Sequence, residues 1–199
     1  MEEKSNIIFL YGKTKINKSI PANLVKRLSG RIGMEDIHEI TYLVQSNDKG
    51  KQQLYDLAFD ENDTIATNAL WVMTHFSLYE NEWLYQKQND MIDKVLSVTN
   101  SSQKRLLLAL LYRQPLTNPP WVNFLDFCLD EMISRKEAPG TTTLCMKLAY
   151  EMCRMIPELL QEYRAVLDML EPTTLPPSLR VARKNILQAM QKGKSMQLL

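Results

Sequence analysis

Apolar residues recur along most of this chain at helical spacing, and the clearest run lies between Asp60 and Phe76 (DENDTIATNALWVMTHF). Ile65, Ala69, Val72 and Phe76 stand at i, i+4, i+7 and i+11, and Ala66, Leu70 and Met73 widen the stripe. That period predicts an amphipathic helix rather than a strand. Asp63 is the predicted N-cap, since a carboxylate there accepts free backbone N–H groups and suits the positive helix end. The small side chains of Ala66 and Ala69 would let a neighbouring helix approach closely.

The pattern returns downstream. A shift of 40 puts Leu106, Ala109 and Leu110 where Ala66, Ala69 and Leu70 stand, and a second shift gives Met146, Ala149 and Tyr150. A further helix, Leu179, Ala182 and Ile186, follows at a shorter spacing of 33 (182 − 149). A period of about 40 residues built from two helices predicts stacked helix pairs.

Other segments fill in the pairs. Pro21 suits the first residue of a short helix through Leu24, Val25 and Leu28, broken by Gly30 and Gly33. Helices are predicted over 34–45 and 51–59, with a turn at 46–50. A single helix is predicted over 82–98, its polar middle (QKQND, 86–90) facing water. Asn100 or Ser101 caps the next helix, whose RLLLALLY core (105–112) is apolar nearly all round. Asn118, with Pro119 or Pro120, opens a helix from Trp121 to Ser134 that turns Phe124, Phe127, Cys128, Leu129, Met132 and Ile133 inward. Leu144–Ile156 follows; Pro157 starts or kinks a segment to Leu170, and Leu179–Met190 is the last helix.

The runs ATNALWVMTHF, RLLLALLYR, LCMKLAYEMCRMIPELLQEY and SLRVARKNILQAM carry a resemblance to a known family. Residues 34–190 resemble HEAT- or armadillo-like α-helical repeats. The resemblance implies an all-α fold, a right-handed α–α superhelix of stacked antiparallel helix pairs. The mid-helix proline and the regular Asp and Arg ladder of strict HEAT repeats are not evident, which leaves the subtype open. Residues 1–33 form an N-terminal segment with one short helix, 34–190 the repeat domain, and 191–199 a basic tail expected to fray; together they make one structural domain.

Charge refines this picture. The 199 residues carry a net charge of +1, so the whole molecule is no polyelectrolyte. The distribution is uneven. Residues 1–33 hold seven Lys/Arg and two Glu (+5), 34–63 two Lys and eight acids (−6), and 172–199 five Lys/Arg and no acid (+5). The three cysteines, 128, 145 and 153, sit in apolar helices with no CxxC, which fits a reduced, cytoplasmic setting. No apolar run approaches the length of a membrane span, so no membrane partner is expected.

Candidate chemistry is sparse. Gly12-Lys13-Thr14 imitates the end of a phosphate-binding loop, but Ile7 stands where that loop needs a glycine. Asp60, Asn62 and Thr64 have calcium-loop spacing, but position 65 is Ile rather than Gly. His38 and His75 are the only histidines, without HxxxH or HExxH, and no GxSxG elbow occurs. The residues four after Trp71, Trp83 and Trp121 are His75, Lys87 and Leu125. The Trp–Asp pair of HEAT-like DNA-alkylation glycosylases is therefore missing, as is the signature loop of fumarase-type lyases. No catalytic residue, cofactor or metal is expected.

The reading is a non-enzymatic scaffold that binds a protein or peptide, with Trp83, Trp121, Arg180, Arg183 and Lys184 as candidate contacts. The alternatives are a nucleic-acid-binding domain using the basic ends, and an unrecognised enzyme.

Overall fold

The helical stripes are realised in space. A computed structural model describes residues 24–116 and 121–197, and no strand occurs among them. In order they form α1 (Leu24–Leu28), α2 (Met34–Val44), α3 (Asp48–Leu57), α4 (Asp63–Met73), α5 (Leu78–Asn81) and α6 (Gln88–Ser97). There follow α7 (Ser101–Leu111), α8 (Val122–Ser134), α9 (Pro139–Cys153), α10 (Pro157–Met169) and α11 (Pro177–Lys192), with 3₁₀ turns at Glu82–Lys87 and Pro172–Thr174. The expectations for Ile7, Gly12–Thr14, Pro21 and Asn118–Pro120 lie outside the described residues.

The helices alternate between two layers. α2, α4, α7, α9 and α11 lie side by side in chain order, and α3, α6, α8 and α10 pack against them as a second layer. This is an α–α superhelix, in which no pair buries its apolar face alone and stacking makes one continuous core.

Its register is 38 residues, not 40. α4, α7, α9 and α11 begin at Asp63, Ser101, Pro139 and Pro177, and 101 − 63, 139 − 101 and 177 − 139 are each 38. Burial keeps the same step: Val72, Leu110, Leu148 and Ile186 are all fully buried. The alanines chosen from sequence are therefore not equivalent. Ala69 and Ala149 are buried, but Ala109 is half-buried like Trp71 and Lys147, the residues 38 positions either side. A slip of two residues turns a helical position by about 200°, enough to move it off the core stripe.

Helix starts follow capping chemistry. Asn47, Asn62 and Asn100 each accept two backbone N–H groups. Asp63 is thus the first helical residue rather than the cap. Its carboxylate instead accepts from Gln103 Nε2 at 2.8 Å and Asn100 Nδ2 at 3.2 Å, tying α4 to α7. Pro139, Pro157 and Pro177 open α9, α10 and α11, so Pro157 begins a helix, and α9 starts five residues before Leu144.

Further ties step along the stack. Asn68 Nδ2 donates to the carbonyls of Leu28 and Gly30, both at 2.9 Å. Arg113 donates to the carbonyls of Thr74 at 2.8 Å and Phe76 at 2.6 Å, satisfying the C-terminal end of α4. Lys104 pairs with Glu137 at 2.6 Å, which holds that carboxyl below its ordinary value. These contacts tie neighbouring helices together but do not recur at the 38-residue step, since Leu106, Thr141, Thr142 and Glu151 stand 38 positions after Asn68, Gln103, Lys104 and Arg113.

Several positions depart from the periodic reading. Residues 82–98 are not one helix: a 3₁₀ stretch joins α5 to α6. Asn81 Nδ2 donates to Arg113 O, and Gln88 Nε2 to Gln114 Oε1 and the Pro115 carbonyl. The 3₁₀ stretch lies between these two buried amides, both of which bond to the end of α7 and the residues just after it. Gln88 is accordingly buried rather than wet. Ile133, predicted to turn inward, faces solvent. Ser195–Gln197, expected to fray, are hydrogen-bonded back onto α7 and α9.

Gly50 in α3 lies against α2, and a Cβ there would stand 3.2 Å from Val44 Cα. Val44 must give by a few tenths of an ångström to admit it, so Gly50→Ala is expected to fall short of the gain of about 1 kcal/mol that alanine has over glycine in an unhindered helix. Urea denaturation of the variant checks this.

Candidate functional site

The second layer is where the surface opens. α3 and α6 border a groove of about 540 Å³, lined by Tyr55, Asp56 and Phe59 from one side and Asp90, Asp93 and Lys94 from the other. Tyr55 and Phe59 are four apart, so they share a face of the chain leaving α3, as do Asp90, Asp93 and Lys94 on α6. The two rings lie 5.0 Å apart between centroids. Tyr55 OH donates to Asp90 Oδ2 at 3.3 Å. Burial raises the Tyr55 hydroxyl well above its ordinary range, and the charges of Asp90 and Asp56 add to this, so the phenol stays a donor.

Cations already lie on these rings. Lys94 Nζ is 5.7 Å from the Phe59 centroid, and Lys87 Nζ is 5.3 Å from Tyr55 and 5.6 Å from Trp83. Lys51 Nζ is 5.9 Å from Trp83. Such placements are favourable because the ring face is electron-rich. Lys51 also pairs with Glu80 at 2.8 Å and Asp48 at 2.9 Å. Burial would lower the Lys51 pKa, but the hydrogen bonds and charges of Glu80 and Asp48 outweigh it and leave the group raised. By contrast, none of Asp56, Asp90 and Asp93 has an ion-pair partner among the described residues.

The residues singled out from sequence do not converge. Trp83 stands beside the groove, half-buried and edge-on to Tyr55 at 6.0 Å. Trp121 is half-buried at the start of α8, packed on the core. Arg180 donates to the carbonyls of Pro172 and Leu175, and Arg183 to the Leu167 carbonyl and Asp168. Both guanidinium groups are engaged with their own fold, while Lys184 is exposed. Sequence reasoning passed over Tyr55, Asp56, Phe59, Asp90 and Asp93. The available signal was an i, i+4 aromatic pair in YDLAF followed by an i, i+3 aspartate pair in DMID.

Other chemistry resolves into packing. Asp60 accepts the Asn62 backbone N–H at 2.8 Å, and Asn62 in turn caps α4, which accounts for the calcium-like spacing. The three cysteines are buried. Burial pushes the Cys128 thiol well up, with Cys145 beside it, and the Cys153 thiol to about 12. No cluster of three or more His, Cys, Asp or Glu suited to a metal occurs among the described residues, and none of their helices is long and apolar enough to cross a membrane.

The two histidines meet. His38 and His75 lie edge to face at 5.8 Å. Burial lowers the His75 pKa below 6.5, and His38 and Arg113 lower it further. The unfolded chain then takes up the proton before the folded one does. Stability is expected to fall as pH drops below 6.5 and to level off once the depressed folded value is passed. His75→Gln should flatten this part of the stability profile, measured as melting temperature against pH.

The profile of the HEAT repeat domain family matches residues 24–190. No curated protein matches the chain. No solved structure matches it.

Proposed function

The chain belongs to the HEAT repeat family, and on that premise we propose that it is a non-enzymatic scaffold binding a protein or peptide segment across its second-helix layer. The observation that carries this is the groove between α3 and α6, an open, partly aromatic surface beside the packed core. Stacked repeats present such surfaces on a rigid frame, which lowers the ordering cost of binding. Aromatic rings with polar groups around them are the usual composition of interface anchors.

Site-specific photo-cross-linking in the native host tests the reading. Cross-linking residues at Gln53 and Asn89, exposed on α3 and α6, are compared with one at Ser102, exposed at the start of α7. A discrete partner band from the first two and none from the third supports the scaffold. Equal labelling at all three, or none at Gln53 and Asn89, contradicts it.

A further inference from the structure

Resting on that reading, we propose that the α3–α6 groove takes an arginine side chain of a basic, extended peptide segment, with the half-buried Phe59 ring as the stacking surface, the buried Tyr55 ring backing it, and Asp56, Asp90 and Asp93 as the anionic wall. Three features point to this occupant.

The first is charge. The lining holds three carboxylates and one ammonium, −3 + 1 = −2, and counting Lys87 over Tyr55 still leaves −1. None of the three aspartates is neutralised by an ion pair among the described residues. Bringing in a cation relieves their mutual repulsion, whereas an acidic or neutral segment gains nothing there.

The second is the behaviour of the rings. Phe59 and Tyr55 each already hold a lysine ammonium within 5.3–5.7 Å of the centroid. These lysines show what the ring faces accept. They are flexible and carry only one compact charge each, so an incoming planar group can displace them at small cost.

The third is shape. A guanidinium is flat and presents N–H donors in a fork, so it can lie on an aromatic face while its edge meets a carboxylate. The groove offers both: the Phe59 ring, backed by Tyr55 with centroids 5.0 Å apart, and carboxylates from two helices around it. Asp56 and Asp90 are held in place, the first by Gln52 Nε2 at 2.6 Å and the second by Tyr55 OH. A lysine would satisfy the charge without the stacking, so arginine is preferred.

The test uses the full chain and fluorescent hexapeptides of arginine, lysine and glutamate, read by anisotropy at low and at physiological salt. Arginine peptide is expected to bind more tightly than lysine peptide, and glutamate peptide not at all, with affinity falling as salt rises. The triple variant Asp56→Asn, Asp90→Asn, Asp93→Asn is expected to weaken arginine-peptide binding at least tenfold. A charge-matched control, Asp126→Asn, Asp130→Asn, Glu158→Gln, removes three exposed acids elsewhere and should change binding less than twofold. Phe59→Ala should narrow the arginine-over-lysine preference. Absence of binding at low salt, or equal weakening by the two triple variants, overturns the proposal. If that happens while cross-links at Gln53 and Asn89 persist, the scaffold stands and the cationic ligand is wrong.

Discussion

Replacing Glu151 with alanine is expected to destabilise the fold by about 3 kcal/mol, a drop in melting temperature of about 6–12 °C for a chain of this size. The side chain of Glu151 is 1% exposed and receives hydrogen bonds from three directions. Arg154 Nε donates at 2.7 Å, Ser195 Oγ at 2.9 Å and the Met196 backbone N–H at 2.6 Å. Two tyrosines reinforce the same strap, Tyr150 OH donating to Lys194 O at 2.6 Å and Tyr112 OH to Met196 O at 2.8 Å. Tyr112 and Tyr150 are one repeat apart (150 − 112 = 38) and so meet alternate carbonyls of the extended tail. Burial, then the Glu151 charge, raises both hydroxyls, Tyr112 to about 12, so they remain donors at neutral pH. Removing the carboxylate leaves the Met196 amide and the Ser195 hydroxyl without their acceptor and takes the ion-pair partner from Arg154. Glu151→Gln, which keeps the shape, should lose less than half as much. Melting curves check the stability, and hydrogen exchange at the Met196 amide reports release of the tail.

The second large effect is expected at Phe124. Its side chain is fully buried in α8, near-parallel to Phe127 with centroids 6.5 Å apart, where α8 packs on α9. Phe124→Ala leaves a cavity that the two layers cannot close without moving whole helices, so the cost is expected at about 3–5 kcal/mol. Phe124→Leu should recover most of it. Guanidinium denaturation distinguishes the pair; a loss below 1 kcal/mol for the alanine variant would mean that the layers are not packed as described.

The architecture was legible because burial in a stacked fold repeats. Val72, Leu110 and Ile186 stand on stripes that helical period picks out, and Leu148, which the sequence reading did not single out, completes the set. The step between stripes was less legible, since alanine occurs both at tight crossings, as Ala69 and Ala149 do, and on a half-exposed face, as Ala109 does. Caps settle the register better: Asn62 and Asn100 are 38 apart, and Pro139 and Pro177 repeat the interval. The broken course of residues 78–97 was hidden because Gln88 is polar by type yet buried by its bonds to Gln114 and Pro115, partners distant in sequence. The groove was hidden for the same reason. Tyr55 and Phe59 take on a meaning only once α6 supplies the aspartates opposite them.

First helices laid side by side in chain order define this fold, and electron–electron spin distances measure that directly. Labels are placed in pairs between Glu35 and each of Ser102, Gly140 and Ser178, exposed near the starts of α2, α7, α9 and α11; the native cysteines are buried. With neighbouring axes about 10 Å apart, two, three and four steps predict distances of about 20, 30 and 40 Å. A steady rise across the three pairs is the expected result. A distance from Glu35 to Ser178 no longer than that to Ser102 would show a closed bundle instead and contradict the stacked arrangement.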